Sequence, residues 1–399
     1  MPILAHKIRF YPNGKQKTLL AKSCGTSRFA YNWALAEWKR QYESGEKPNA
    51  TKLRRDLNAI KKEQFPWMYE VSKCAPQQAI RDLGIAFKRF FKGLAKYPKF
   101  KKKFVNDSFY LDNLNFRLRK NGKIHLAQIG EVRLGEKLRF EGKLVAATVS
   151  REANQWYISI QVEMPDKASL EKIEKVVGID VGVRQYADSD SVFYEVPRSY
   201  RSRERKLRRE QQSLSRKVKG SNNRDKQRIK VARCHLRTKN IRQDWLHKLT
   251  TDIVRNNQII GIEDLNVKGM VRNKHLAKSI TDACFGEFRR QIEYKSLLYG
   301  REVVVVPCFY PSSKLGNRCG TKTKSMPLSV REWRCGKCGA YHHRDTNAAI
   351  NIKNYAASSA VSACGEFSAS DGTIIRGSPV KQPRRSRKKT TDSTVRRNV

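Results

Sequence analysis

The chain has 399 residues, and its 83 Lys and Arg residues against 37 Asp and Glu residues give a formal net charge of +46. Such a surplus repels itself in a compact state, so we expect a polyanionic partner, and the charge argues against a secreted enzyme of small neutral substrates. Because 39% of the residues are hydrophobic, the chain is too apolar to be a wholly disordered basic protein. The composition predicts a folded nucleic-acid-binding protein of roughly two to three domains.

The N-terminal segment and the cysteines indicate the compartment. Residues 1–11 lack the long apolar core of a secretory signal, and no apolar run approaches the roughly 18 residues that cross a bilayer. We therefore expect no membrane partner and a cytoplasmic, nucleoid-associated protein. Six of the nine cysteines are scattered along the chain, which predicts reduced, buried thiols.

Residues 1–165 predict a small β-barrel-like module with a helical insertion at about 15–105. A strand over Ile3–Tyr11 ends at a Pro-Asn-Gly turn, and apolar residues at helical spacing follow it. The insertion closes with a basic segment, 96–103, in which aromatic residues alternate with lysines. After this segment the pattern changes to alternating strands, with an Asn-Gly hairpin turn at 121–122.

Residues 166–310 predict an α/β layered domain, because strands alternate with helices there. One buried strand ends at Asp180 and another at Glu263. Between them, a long helical stretch over 198–248 carries 19 basic and 4 acidic residues, an excess that indicates phosphate contacts. The remaining segments are a cysteine-bearing loop (311–341), a C-terminal helix (342–358) and a basic tail (359–399). We expect the tail to be disordered until it meets nucleic acid.

Three carboxylates are candidates for one catalytic site. Asp180 and Glu263 end apolar strands, and Asp345 lies at the start of an Ala-rich helix. Each alone has an ordinary explanation, as a turn residue or as a charge at a helix N-terminus. Because strand ends on one side of an α/β sheet face the same crevice, we expect the three to converge. Convergent carboxylates repel one another unless cations lie between them, and these oxygen ligands favour one or two Mg²⁺ ions. The constellation predicts metal-dependent phosphodiester hydrolysis.

A second candidate site is a group of clustered cysteines, Cys319, Cys335 and Cys338. Their C-x15-C-x2-C spacing resembles a tetrahedral zinc site, which needs four nitrogen or sulfur ligands. The first pair is incomplete, because the expected fourth cysteine falls at Gly316. His342, His343 or a water molecule are alternatives for the fourth ligand, and free thiols without a metal are a further interpretation.

Seven blocks of the sequence, in order, resemble the TnpB family of insertion-sequence-encoded RNA-guided nucleases, relatives of the compact type V CRISPR effectors. The resemblance spans roughly residues 3–356, and seven blocks in order are far more specific than any one of them. The blocks are RFAYNWAL (28–35), FFKGLAKYPKFKKK (90–103), GIDVGV (178–183), IEDLNVKGM (262–270), FGEFRRQIEYK (285–295), FYPSSK (309–314) and REWRCGKCGAYHHRDTNAAINI (331–352).

The resemblance implies a RuvC-like nuclease domain with an RNase H fold, whose catalytic acids map onto Asp180, Glu263 and Asp345 and hold Mg²⁺. It also implies an N-terminal wedge barrel with a helical recognition insert, and a zinc-ribbon-like module inserted in the nuclease domain. The implied partners are a guide RNA from the transposon end and double-stranded target DNA, bound by a protein that is monomeric per RNA.

Two positions depart from the family's pattern. The family's zinc ribbon has a cysteine where this chain has Gly316, and an acidic residue where it has His343. Neither change touches the three acids. A loosened ribbon next to Asp345 would nevertheless displace that acid and impair activity.

Six residues are further candidates for nucleic-acid contacts. Lys73 and Gln77 lie one helical turn apart, in the region that approaches the target-adjacent motif in the resembled family; a solvated helix face is the alternative. Aromatic residues among lysines stack on nucleotides in some proteins and pack internally in others. Arg331, close to the tryptophan of the ribbon, is a candidate for contact with the scissile phosphate. The last four candidates are Tyr97, Lys99, Phe100 and Arg331.

Three functions follow from these observations. The first is an RNA-guided, Mg²⁺-dependent DNA endonuclease of a transposon, which cuts target DNA beside a short recognition motif. The second is a nuclease-impaired RNA-guided DNA-binding protein or repressor, which the incomplete cysteine set favours. The third is a strand-transfer transposase, which would produce joined products in place of free ends.

Overall fold

One antiparallel sheet of seven strands contains all the strands of the N-terminal half. The computed structural model describes residues 3–164, 170–327 and 329–365. The strands are β1 (Ile3–Tyr11), β2 (Ser108–Asp112), β3 (Phe116–Leu118), β4 (Lys123–Leu126), β5 (Gly130–Leu134), β6 (Lys143–Glu152) and β7 (Gln155–Glu163). Their order across the sheet is β2-β6-β7-β1-β5-β4-β3. The predicted strand over residues 3–11 and the hairpin turn at 121–122 are both confirmed.

The buried face of this sheet follows the alternation in the sequence. In β7, every second residue from Trp156 to Val162 is buried, and Ile8 and Phe10 of β1 join the same core. The turn between β6 and β7 places Ala153 and Asn154 at φ values of 50° and 61°. Two consecutive residues with positive φ match the right-handed twist of the strands in a tight hairpin.

The prediction of a barrel is wrong, because the sheet stays open between β2 and β3. Across the described ranges, no strand ladder joins these two end strands. The helical insertion explains the difference, since α1 (Gly14–Glu43) and α3 (Cys74–Phe91) pack against β2. Helices that cover a sheet edge shield it, so closure into a barrel is not needed.

The insertion between β1 and β2 contains α1, α2 (Ala50–Gln64), a short 3-10 helix (Pro66–Glu70) and α3. Asn13 and Gln16 form a reciprocal capping box that begins α1 immediately after the predicted turn. The helices share a core of their own, which includes Ala30, Leu53 and Leu83. Leu83 belongs to the buried face of α3, which packs into this core.

A second sheet of five strands belongs to the C-terminal half, in the order β10-β9-β8-β11-β12. The strands are β8 (Val176–Val181), β9 (Gln185–Asp188), β10 (Phe193–Glu195), β11 (Ile259–Glu263) and β12 (Glu302–Val306). Strands β8, β11 and β12 run parallel to one another, whereas β9 is antiparallel to both β8 and β10. This mixed sheet with covering helices is the α/β layer that the sequence predicted.

The remaining helices and one hairpin surround the second sheet. They are α4 (Arg201–Ser215), α5 (Asn222–Asn256), α6 (Val267–Met270), α7 (Ala277–Ala283), α8 (Phe285–Tyr299), α9 (Arg344–Gly365) and the hairpin of β13 (Glu332–Arg334) with β14 (Tyr341–His343). The single helical stretch expected over 198–248 is two helices, because Gly220 adopts φ +88° between them. Helix α9 continues past residue 358, where the tail was expected to begin.

Two further expectations concern membrane-spanning helices and the basic tail. Within the described ranges, no helix is long and apolar enough to cross a membrane. The expectation of a disordered basic tail falls mostly on residues 366–399, which lie outside the described residues.

Candidate functional site

Two of the three predicted acids lie side by side at the ends of adjacent parallel strands. In the register of β8 and β11, Ile179 is opposite Ile262. Asp180 and Glu263 are the next residues of the two strands, which stand about 4.8 Å apart in a sheet. Both side chains therefore lie at the carboxyl edge of the parallel part of the sheet.

Helix α9 brings the third acid to this edge, because two glycines let its backbone lie directly on the sheet. Gly178 and Gly261 are paired in register on β8 and β11. A Cβ atom at Gly178 would stand 2.1 Å from the carbonyl oxygen of Ala349 in α9. Asp345 lies one turn before Ala349, in the first turn of α9. The close packing of this helix thus sets the position of Asp345.

The charges of Glu263 and Asp345 act on the carboxyl group of Asp180. Burial, followed by the charges of Glu263 and Asp345, raises the pKa of the Asp180 carboxyl well above its usual value, and Arg344 and Arg331 offset this only in part. Burial also raises the pKa of the Glu263 carboxyl. Such a group of acids is ionised together only when cations compensate the charge, and hard divalent cations prefer oxygen ligands.

Two other side chains hold the acids in place. Ser312 donates a hydrogen bond of 2.7 Å to Glu263, which opposes the rise in the pKa of that carboxyl. Arg331 forms an ion pair of 3.2 Å with Asp345. The structure therefore places Arg331 on a candidate catalytic acid, while its contact with a scissile phosphate stays a prediction.

Replacing Ser312 with Ala should raise the Mg²⁺ concentration needed for half-maximal cleavage and slow cleavage about tenfold. A hydrogen bond to a charged group contributes about 1.5–3 kcal/mol, and without it Glu263 is less fixed and less readily ionised. The measurement is single-turnover cleavage over a Mg²⁺ titration, with the neighbouring Ser313→Ala as matched control. An unchanged Mg²⁺ dependence in Ser312→Ala would show that Ser312 does not position Glu263.

The three clustered cysteines also come together. Their Sγ atoms lie within 4.8 Å of one another, and those of Cys319 and Cys335 are 3.5 Å apart. Thiolates around one zinc ion stand about 3.8 Å apart, given Zn–S bonds of about 2.3 Å in a tetrahedron, so the cluster fits that metal. Hydrogen bonding with the side chain and backbone of Thr321 lowers the pKa of the Cys319 thiol to about 6, which favours the ligating thiolate.

The spacing of the carboxylates differs from that of the thiols. Within the described residues, the three thiols are the one group of three or more potential metal ligands whose atoms all lie within 4.8 Å of one another. The three carboxylates are therefore more widely spaced. Two cations about 4 Å apart suit a wider set of acids than a single ion does.

The candidate DNA-motif residues lie beside a cavity. Lys73 is exposed just before α3, and Gln77 is half-buried in its first turn. Gln77 lines a cavity of about 450 Å³ between α2, α3 and β2, together with Arg54 and Arg81. A concave site with amide and guanidinium groups has donors and acceptors suited to base edges, so contact of Gln77 with the target-adjacent motif stays a prediction.

The basic aromatic segment has mixed surroundings. The ring of Tyr97 packs edge-on against Phe87 and Phe90 at 5.5 and 5.4 Å, while 47% of its surface stays exposed. Lys99 is exposed, and Phe100 leaves 58% of its surface to solvent. Phe100 is therefore available for stacking on a base, whereas Tyr97 is partly committed to packing.

Sequence reasoning missed residues that position the acids without bearing charge. Ser312 lies in the FYPSSK block, but nothing in its pattern named it as a partner of Glu263. Asn347 and Asn351 of α9 donate hydrogen bonds to the backbone oxygens of the 312–315 segment. In the sequence, isolated glycines within the strands indicated that another backbone, here that of α9, approaches closely.

Three family models match the chain. One described as a probable transposase matches residues 159–274, a Cas12f1-like TNB domain matches residues 285–352, and a helix-turn-helix domain matches residues 1–47. The first match contains Asp180 and Glu263, and the second contains Asp345 and the three clustered cysteines.

Relatives match nearly the whole chain. A Streptomyces pristinaespiralis protein is 39% identical over 91% of this chain and 91% of its own length, and Escherichia coli (strain K12) InsQ is 36% identical over 95% and 96%. Both carry the provisional name RNA-guided DNA endonuclease. An Acanthamoeba polyphaga mimivirus protein named TnpB-like is 32% identical over 30% of this chain and 23% of its own length. The chain belongs to the TnpB family.

A solved structure has a weaker likeness to this TnpB-family chain. A Cas12f1–sgRNA–target DNA complex aligns with 89% of the chain and 99% of its own protein chain, at 15% identity and a TM-score of 0.34. That score is too low for any inference about shared geometry. Membership of the TnpB family rests on the sequence relatives alone.

Proposed function

We propose that this protein is an RNA-guided, Mg²⁺-dependent DNA endonuclease of a transposon, which cuts target DNA beside a short recognition motif. The observation that carries the proposal is the convergence of Asp180, Glu263 and Asp345 at one sheet edge, where burial and then the charges of the other two acids raise the pKa of the Asp180 carboxyl. The provisional names of the full-length relatives support the same activity.

The acids would hold the metal, and the surrounding residues would orient the acids. One or two Mg²⁺ ions held there would activate a water for attack and stabilise the leaving oxygen of the phosphodiester. Asp180 and Glu263 present their carboxylates from adjacent strands, and α9 presents Asp345 from above the sheet. Ser312 fixes one oxygen of Glu263, and Arg331 balances charge beside Asp345. We assign this unit to the RuvC-like class that the family resemblance implies.

The positive charge of the rest of the protein suits the binding of a guide RNA and target DNA. Folded RNA brings many phosphates, and the formal net charge of +46 would neutralise part of them. We place RNA on the basic helices α4 and α5, and the target-adjacent motif at the cavity beside Gln77. Base pairing would supply most of the sequence specificity, while the protein reads the backbone and the motif. Action in the cytoplasm at the nucleoid, as one protein copy per RNA, belongs to the same proposal.

The test is plasmid cleavage by protein copurified with RNA transcribed from its own flanking DNA. The target plasmid would match the guide and carry randomised flanks, in buffer with Mg²⁺ or with EDTA. We expect free double-strand ends that require the match and Mg²⁺, and one enriched flanking motif among the cut molecules.

Other outcomes of the plasmid experiment would replace the proposal. Retention of matched DNA without cutting would indicate a guided binding protein or repressor. Joined products in place of free ends would indicate a strand-transfer transposase, and equal cutting of unmatched plasmids would contradict guidance by RNA.

A further inference from the structure

Two turns in the cysteine-bearing segment have the same backbone geometry. In one, the amide of Gly320 donates to the carbonyl of Gly316 at 2.8 Å; in the other, the amide of Gly339 donates to Cys335 at 2.9 Å. The glycine that ends each turn has a φ of +67°. Position 316 in the first turn is thus the counterpart of Cys335 in the second.

A further pair of hydrogen bonds extends the match. The amide of Gly316 donates to the carbonyl of Thr321 at 3.0 Å, and the amide of Cys335 donates to the carbonyl of Ala340 at 2.9 Å. Cys319 and Cys338 then occupy equivalent places in the two turns. A pair of such turns supplies four ligands when all four positions bear thiols, and here position 316 supplies none.

An imidazole nitrogen lies next to the position of the missing thiol. A Cβ atom built at Gly316 would lie 3.5 Å from Nε2 of His342 and 3.6 Å from Sγ of Cys319. His342 leaves only 4% of its surface exposed, and within the described residues its Nε2 has no hydrogen-bond partner. A buried polar atom without a partner calls for an explanation such as an absent ion. Nδ1 of His343 and Nε1 of Trp333 also lack partners in the described residues, so the short distance to position 316 is what selects His342.

The neighbouring histidine is not placed for this role. His342 and His343 are successive residues of β14, so their side chains point to opposite faces of the hairpin. His342 is paired with Trp333 across the hairpin, with ring centroids 4.5 Å apart. His343 instead packs edge-on against Phe193 of β10 at 5.2 Å. The side of the hairpin that faces Gly316 therefore carries His342.

We propose that Nε2 of His342 is the fourth ligand of a Cys3His zinc site, in which it replaces the thiol absent at position 316. Because Nε2 lies outside the 4.8 Å thiol cluster, metal binding draws the ring toward the three sulfur atoms. The inference goes beyond the proposed function and rests on the fit of the three-thiol cluster to zinc. It does not depend on cleavage, since the metal is measured directly.

The test compares zinc and cobalt binding by the full chain and four variants: His342→Ala, His343→Ala, Gly316→Cys and the double variant Gly316→Cys/His342→Ala. We expect His342→Ala to lower the affinity for zinc at least about 100-fold, measured in competition with a chelator. Removing a residue that only hydrogen-bonds to a metal ligand already lowers the affinity by up to about 100-fold. His343→Ala should bind zinc as the unmodified chain does. The double variant should recover tight binding, because a Cβ at 316 meets no contact closer than 3.5 Å.

Cobalt identifies the ligands in the same samples. Substituted with Co²⁺, the unmodified chain should give the visible spectrum of a three-thiolate, one-imidazole site, and the double variant that of a four-thiolate site. Recovery in the double variant also shows that the loss in His342→Ala is a lost ligand and not a failure to fold.

Three results would overturn the proposal. One is unchanged zinc affinity and cobalt spectrum in His342→Ala, which would leave water as the fourth ligand. Another is a loss in His343→Ala in place of His342→Ala. The last is that the unmodified chain binds no zinc. Guided cleavage measured on that same preparation would then show whether the proposed nuclease function survives without the zinc site.

Discussion

Replacing Asp180 with Asn should reduce cleavage on the order of 10³-fold or more, while guide RNA and matched DNA remain bound. Loss of a single preorganised hydrogen-bond donor in an active site already costs about 10²–10³ in rate, and here the lost carboxylate would hold the metal. Asparagine keeps the shape of the side chain, so the strand and its neighbours need not move. The measurement is single-turnover cleavage of a labelled duplex, with a binding assay on the same ribonucleoprotein.

The same substitution should stabilise the protein when Mg²⁺ is absent. The raised pKa of Asp180 means that its ionised form is disfavoured in the folded state, so a neutral Asn removes a cost at neutral pH. We expect the thermal midpoint in EDTA to rise by roughly 2–4 °C, as relief of about 1 kcal/mol gives in a domain of this size. The gain should shrink at acidic pH, because the wild-type carboxyl is then protonated as well.

Asp190 provides the matched control for Asp180. It lies in the same sheet, between β9 and β10, where its carboxylate pairs with Lys175 at 2.6 Å on the surface. Asp190→Asn should leave cleavage within about twofold, since exposed ion pairs contribute about 0–1 kcal/mol. Wild-type cleavage in Asp180→Asn, or equal losses in both variants, would remove Asp180 from the catalytic site.

Replacing Gly178 with Ala should destabilise the nuclease unit by about 3 kcal/mol and reduce cleavage about 10²-fold. Overpacking a core costs up to about 3 kcal/mol, and the added methyl group would meet backbone atoms of Ala349 and Lys353 at 2.1 and 2.4 Å. Backbone atoms cannot rotate away as a flexible side chain does, so α9 must lift from the sheet. A displacement of about 1 Å at a catalytic group is enough for a 10²-fold loss.

Urea denaturation and cleavage, measured in parallel, test this prediction. Gly286→Ala in α8 is the control, because a Cβ there meets nothing within 4 Å. Alanine in place of glycine within a helix should stabilise by roughly 0.5–1 kcal/mol. Equal stability of Gly178→Ala and the unmodified chain would show that α9 does not lie as close to β8 as we describe.

The positions of the acids were predictable because each marks the end of a regular pattern. Asp180 and Glu263 end apolar strands, and parallel strands place such ends at one edge. The convergence of Asp345 followed from the family resemblance and from its helix. The roles of Ser312 and Gly178 were not predictable in this way, since both depend on which loop or helix crosses the sheet, and a single sequence does not give that.

The N-terminal half shows where alternation stops being informative. The pattern in β7 identifies buried residues correctly, but it carries no information about which strand ends pair. The choice between a barrel and an open sheet depends on α1 and α3, which cover β2. At the cysteine cluster, spacing identified the gap at Gly316 but left His342 and His343 equivalent, because only the hairpin assigns them to opposite faces.

The most direct test of guided cleavage is to exchange the guide segment of the RNA for an unrelated sequence. We expect cutting to move to DNA that matches the new guide, beside the same motif, and the original target to be left whole. Cleavage that stays at the original site, or that follows the transposon end whatever the guide, would contradict an RNA-guided endonuclease.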